Sequence, residues 1–326
     1  MDGCITGITS GKALVVEKYL KRVVAGLCLI MIGAGCVSSD GTESNADGSP
    51  DSTGIDAASS DEPNPGFDGP VNVIVANTSG TLTTVGPQRV MTALLGDGPN
   101  SFLGGPDRPV TVVYSPVNGG SNNDAEGGST EGQWLTTNAA ALGLYVSYFE
   151  FPVAGPWRVA IEADGEELGA ALIDVVEESP VPKIGDAAPR TESPTAANMD
   201  EASKISTDPE PDLSLYRLSV AEAVENGRPT VVVFATPAFC QTALCGPTLE
   251  AVKSATNNRD GIDVVHVEPF DLDLAPEGTL QPIPAMADWG LITEPWVFVI
   301  DAQGMVAASF EGIVVQTELA ASLDAL

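Results

Sequence analysis

Val231-Val-Val-Phe-Ala-Thr-Pro-Ala-Phe-Cys240-Gln-Thr-Ala-Leu-Cys245-Gly-Pro247 decides the reading of this chain. Thr230 to Ala235 is an apolar, β-branched run, which predicts a buried strand. Pro247 falls in the first turn of a following helix whose inner face carries Leu249, Val252 and Ala255. Cys240 ends the strand-to-helix loop, and Cys245 stands just before Gly246 and Pro247. A helix N-terminus offers unsatisfied N–H groups and a dipole, both of which favour a thiolate. Two sulfurs at such a junction suit disulfide exchange, in which one thiol ionises and the other lies within bonding reach. The bland alternatives are a static disulfide or two buried thiols. A loop this small removes little unfolded-state entropy, which argues against a purely stabilising staple.

The flanking sequence extends the pattern. Ser219 is a cap for a short helix over Val220 to Glu225, which Gly227 ends. Strands are predicted over Gly261 to Val267, Trp296 to Ile300 and Met305 to Phe310, with a turn at Asp301-Ala-Gln-Gly304. Met286 to Leu291 reads as a helical turn and Gln316 to Leu326 as a closing helix. In this order of elements, residues 215–326 resemble an α/β thioredoxin-like domain. Pro180-Val-Pro-Lys-Ile-Gly-Asp-Ala-Ala-Pro189 is similar to the segment that leads into exported members of that family.

The resemblance implies that Cys240 attacks and Cys245 resolves, whereas Pro247 favours Cys245 as the better-activated thiol, and the sequence leaves both open. It also implies a substrate-binding loop. Glu294-Pro295 stands about fifty residues after the cysteines, just before a strand, where the family keeps a cis-proline facing the sulfurs. By the same resemblance Trp296 and Phe239 flank the pair. The chain departs from thioredoxin in two respects. Four residues separate the cysteines instead of two, and Val231-Val-Val-Phe stands where thioredoxin buries an aspartate. No other proton relay is evident, and Lys253 and Arg259 read as solvent-facing.

Ahead of this lies a different texture. Val71–Ala76, Arg89–Leu95, Val110–Tyr114, Gly143–Phe151, Trp157–Ala163 and Leu168–Val176 read as strands, with a hairpin signal at Asp164-Gly165. Short strands with regular turns and no convincing helix predict an all-β sandwich over residues 70–178. Leu144 to Trp157, a Gly-x-Tyr strand followed by a Gly-x-Trp strand, resembles the immunoglobulin-like modules of bacterial exported proteins. Asn118 to Gly132 reads as an exposed loop, and residues 179–214 as a linker.

The N-terminus supplies the compartment. Lys12, Lys18, Lys21 and Arg22 precede an apolar run from Val23 to Ile32, the pattern of a signal peptide over residues 1–35. Ile32-Gly-Ala-Gly-Cys36 resembles a bacterial lipobox, which implies lipidation of Cys36. Residues 36–69 are rich in Gly, Ser, Asp and Pro and predict a flexible tether. The location expected is the extracytoplasmic face of the cell membrane, reached through a lipid anchor. The chain holds 14 basic and 45 acidic residues, a net charge of −31, so nothing neutralises phosphates and nucleic acid is excluded as a partner. The expected partner is an exported protein carrying a thiol or disulfide, and no cofactor is called for.

Three other functions compete. Pro237-Ala-Phe with Thr242-Ala-Leu-Cys245 is similar to a peroxiredoxin motif, but the spacing is one residue too long and no arginine follows Arg259. Cys240, Cys245 and His266, the single histidine, resemble the ligand set of Sco-type copper chaperones, and thiolates with an imidazole suit copper. His266 lies on an early strand, however, not in the late loop of that family. Finally, the β domain of a non-catalytic lipoprotein would dock a partner while the second domain only supports it.

Overall fold

The computed structural model describes residues 71–76, 83–97, 102–117, 125–135, 143–240, 244–275 and 279–326. The leader, Cys36 and the segment expected to be a tether lie outside the described residues. Gly69 to Leu326 forms one compact unit, which holds two sheets.

The first sheet has eight strands: β1 (Asn72–Val75), β2 (Gly86–Leu95), β3 (Phe102–Leu103), β4 (Val110–Pro116), β5 (Gly128–Leu135), β6 (Leu144–Phe151), β7 (Gly155–Ala163) and β8 (Glu166–Val175). Their order is β1-β2-β6-β5-β4-β7-β8, with β3 beside β2. The layers expected of a sandwich are joined by β5, whose Gly128–Gly132 pairs with β4 and whose Gln133–Leu135 pairs with β6. Gly132 sits at that corner, where an added Cβ would stand 2.6 Å from Val110 Cγ2. At the far ends the sheet curls back, because the Val85 N–H donates to Val176 O at 3.0 Å and the Val176 N–H to Thr83 O at 2.9 Å. The sheet is therefore barrel-like. Its inside is aromatic: Tyr114 stacks on Phe149 at 4.6 Å, and Phe151 meets Trp157 edge to face at 5.2 Å. Asp164 and Gly165 turn the β7–β8 hairpin with φ of 53° and 81°, the left-handed region that a tight hairpin requires.

β5 corrects the expected loop, since residues 128–132 are strand and only part of 118–132 remains loop or lies outside the described residues. The strand was hidden because Gly128-Ser-Thr-Glu-Gly-Gln carries no apolar side chain. Its first part is held by pairing with β4 and its last by pairing with β6.

The second sheet has order β10-β9-β11-β12, built from β9 (Thr230–Phe234), β10 (Asp263–Val267), β11 (Trp296–Ile300) and β12 (Val306–Glu311). β10 runs parallel to β9, while β11 is antiparallel to both β9 and β12. The helices are α1 (Met199–Ile205), α2 (Val220–Glu225), α3 (Cys245–Thr256), α4 (Pro284–Asp288) and α5 (Gln316–Asp324). One face of the sheet packs Val232, Phe234 and Phe298 against α2, α4 and Trp289. The other packs Val231, Val233, Val297 and Val299 against α1, α3 and α5. Burying each such side chain contributes roughly 1.5–3 kcal/mol, so the two-faced sheet is the main source of stability here.

Ser219 caps α2 as expected, in a full capping box with Glu222. The stretch read as a linker between the domains carries structure of its own. The Gly185 N–H donates to Val306 O at 2.8 Å and the Val306 N–H to Asp186 O at 2.9 Å, so this segment extends the sheet beyond β12. Asn198 caps α1 by accepting the Glu201 N–H at 3.0 Å, a signal too short to see beside the missing periodicity. No helix among the described residues is long and apolar enough to cross a membrane.

The two sheets are joined by a buried ion pair. Arg89 of β2 donates from Nε to Glu318 Oε1 at 2.5 Å and from Nη2 to Oε2 at 2.9 Å. It also donates to Glu311 O at 3.2 Å and Ile313 O at 2.8 Å. Tyr148 of β6 donates to the same Glu318 at 2.7 Å.

Candidate active site

β9 is buried on both faces and delivers the chain to the end of the sheet. There the backbone turns, and Thr236 O accepts the N–H groups of Phe239 at 3.3 Å and Cys240 at 3.0 Å. Cys240 is left half-buried. α3 opens at Cys245 with Leu244 as its N-cap residue, which provides no side-chain hydrogen bond. An N–H in the first turn of a helix has no partner within the helix. That of Cys245 finds Cys240 Sγ at 3.2 Å.

The two sulfurs stand as thiols, and Cys245 is fully buried. Its hydrogen bond to Cys240, and then burial, push the Cys245 thiol far above the ordinary range. The helix start thus directs an N–H at Cys240 Sγ, while burial favours the protonated form of Cys245. The sequence leaves the choice of attacking thiol open, and the burial of Cys245 weighs against the alternative drawn from Pro247. Pro247 does lie in the first turn of α3.

One carboxyl stands beside the sulfurs and a second lies behind the turn that carries Cys240. Glu294 precedes Pro295, and the Glu294–Pro295 bond is cis. Burial pushes the Glu294 carboxyl up to about 7, with the charges of Cys240 and Glu268 adding to the effect. Glu268 follows the end of β10, is 5 % exposed, and has its carboxyl raised by burial. Its Oε2 accepts from the Thr207 N–H at 2.9 Å and from Thr207 Oγ1 at 2.8 Å, while Oε1 is buried without a hydrogen bond. Thr207 Oγ1 in turn accepts the Ala238 N–H at 3.2 Å, which ties this acid to the turn before Cys240. The sequence reading missed Glu268 and Thr207. The one available signal was an ionisable residue closing the apolar run Val264-Val-His-Val-Glu268.

Other expected site residues fall differently. Phe239 is half-buried in the turn, directly before Cys240. Trp296 does not flank the sulfurs. It stacks on Phe298 at 5.6 Å in the core on the opposite face from Cys245, because alternate residues of β11 face opposite ways. Lys253 Nζ pairs with the buried Asp208 Oδ2 at 2.6 Å, whereas Arg259 Nη1 pairs at the surface with Asp324 Oδ1 at 2.6 Å. Thr242 of the peroxiredoxin-like motif lies outside the described residues.

His266 is buried and neutral. Its Nε2–H donates to Ala235 O at 2.9 Å, which leaves Nδ1 to accept from Tyr216 Oη at 2.8 Å. Burial lowers its pKa to about 4. Both ring nitrogens are thus occupied, and the copper reading loses its imidazole. No group of three or more His, Cys, Asp or Glu is placed to hold a metal ion among the described residues.

No protein-family model matches the chain, and no curated protein is similar to it. Among solved structures, a DsbF homologue from Corynebacterium diphtheriae is 20% identical over 33% of this chain and 77% of that one, with a TM-score of 0.26. StoA from Bacillus subtilis is 19% identical over 36% of this chain and 94% of its own, with a TM-score of 0.26. A thiol:disulfide interchange protein of the thioredoxin family from Chlorobium tepidum is 21% identical over 43% of this chain and 97% of its own, with a TM-score of 0.25. These likenesses cover part of the chain only, and their TM-scores are too low to bear on its chemistry. The region that carries the cysteines is thioredoxin-like in its own topology: a four-stranded mixed sheet, a cysteine pair where β9 passes into α3, and a cis-proline before β11.

Proposed function

We propose that this chain is an extracytoplasmic thiol–disulfide oxidoreductase, tethered to the membrane by a lipid on Cys36. In this reading an immunoglobulin-like β domain precedes a thioredoxin-like domain, and Cys240 and Cys245 carry the chemistry. The observation that supports it most is the asymmetry of the pair. Cys240 receives the N–H of the helix start at 3.2 Å, and Cys245 is buried with its proton held.

The exchange then runs in two steps. The Cys240 thiolate attacks one sulfur of a partner disulfide, the partner's S–S bond breaks, and its other sulfur leaves as a thiolate that takes up a proton. Glu294, with its carboxyl near 7, accepts the Cys245 proton. Cys245 attacks Cys240 Sγ, the mixed disulfide breaks, and the partner leaves as a dithiol while the pair becomes a disulfide. Run backwards, the same steps oxidise a partner dithiol. Glu294, Pro295 and Phe239 border the place a partner strand would occupy.

Trapping tests this directly. Cys245→Ser is expected to accumulate a mixed disulfide at Cys240 with oxidised glutathione, and Cys240→Ser to form none at Cys245. The reduction potential of the pair should fall between roughly −120 and −270 mV. A value below roughly −300 mV would mark a structural bond and end the redox reading.

A further inference from the structure

Leu244, the residue before Cys245, points away from its own sheet. It is 6 % exposed and sits in a core formed by Met91 of β2, Leu135 of β5, and Leu144 and Val146 of β6. Ile313, just after β12, completes that core. The N-cap residue of α3 is thus held by an apolar seat in the first sheet, in place of a polar side-chain cap. The first sheet also reaches the other side of the site. Arg89 holds Glu311 O and Ile313 O, and the Gly312 N–H between them donates to Pro295 O at 2.8 Å. Gly312 O accepts from Thr248 Oγ1 of α3 at 3.4 Å. The approach is close: a Cβ on Gly312 would stand 2.6 Å from Met91 Cε.

We propose that the eight-stranded sheet is a working part of the redox site, because it seats Leu244 and so aims the Cys245 N–H at the Cys240 sulfur. Leu244 and Met91 are positioning residues, acting through that N–H. The proposal rests on the redox reading above. A stabilised Cys240 thiolate favours the dithiol over the disulfide, so a loosened seat should weaken the thiolate and favour the disulfide. Cys245 and Glu294 are the ionisable groups beside Cys240, with Glu268 acting on Glu294 behind them, and all three are left unsubstituted in the variants.

The test uses the full chain as Leu244→Ala and Met91→Ala, with Ile161→Ala as a control cavity. Ile161 is fully buried in the same sheet, on β7, outside the Leu244 seat. The readouts are the pH dependence of Cys240 alkylation by iodoacetamide and the equilibrium with glutathione. Both seat variants are expected to move the alkylation midpoint to higher pH and the equilibrium about tenfold towards disulfide, which is about 30 mV. Ile161→Ala is expected to lower the melting temperature and leave both readouts at wild type. The proposal is overturned if the seat variants keep the wild-type profile and equilibrium, or if Ile161→Ala shifts them as far. If Leu244→Ala does not fold, Met91→Ala carries the test with the redox loop's own sequence intact. A wild-type chain that forms no Cys240–Cys245 disulfide would overturn the redox reading itself, a result separate from an unmoved equilibrium.

Discussion

At the scale of single residues, the site turns on which groups hold protons. Glu294 has its carboxyl raised from the ordinary 4.5 to about 7. The folded state therefore holds this proton more tightly than the unfolded chain. Stability from this group is complete below about 4.5 and falls as pH rises through about 7. Glu294→Gln should remove that dependence. Between pH 5 and 8 the gap between variant and wild type should widen in favour of the variant, reaching on the order of 1 kcal/mol after allowance for partial exposure. Urea unfolding at several pH values measures it. The same variant should slow resolution of the glutathione adduct by roughly a hundredfold at pH 7, read by stopped-flow. The cysteines and Glu294-Pro295 were legible because each stands in a short local pattern. Glu268 and Thr207 were not, since they reach the turn before Cys240 from two segments distant in sequence and meet only through the fold.

At the scale of elements, local chemistry set the ends and tertiary pairing set the rest. Ser219 and Glu222 make a complete capping box, and the helix they start lies where the sequence puts it. Ser219→Ala should cost about 1 kcal/mol, seen as a lower urea midpoint, with the glutathione equilibrium unchanged. Trp296 shows the limit of local reading. β11 pairs Trp296 with Phe234 and Val297 with Val233, and cross-strand partners share a face. Since Val231 and Val233 lie on the side of α3, Trp296 must lie on the other. The alternation was present in the sequence, but the face that α3 covers was not.

At the scale of the whole molecule, the Arg89–Glu318 pair is the polar fastening between the two sheets. Its side chains are only 7 % and 11 % exposed. Removing one partner strands a buried charge, so Arg89→Ala should cost about 3–5 kcal/mol. The double change Arg89→Met with Glu318→Leu should recover most of that loss, because two matched apolar groups leave no charge behind. Equilibrium urea unfolding of the single and double variants checks both. A loss under about 1 kcal/mol in Arg89→Ala would mean that the pair behaves as a surface contact.

The sequence by itself determined the elements around the cysteines, their order, and the pairing of a strand-end thiol with a helix-start thiol. Those features depend on neighbours within a few residues: β-branched runs, a cap, a proline, a turn. Tertiary structure alone decided that Cys245 is buried while Cys240 is half-buried, that Glu268 and Thr207 stand beside the turn before Cys240, and that β5 joins both halves of the first sheet. It also decided that Leu244 lodges in a core that includes Met91, Leu135, Leu144 and Val146, from strands far from it in sequence. Burial and charge proximity are properties of what lies across a gap in space, and no spacing along the chain encodes them.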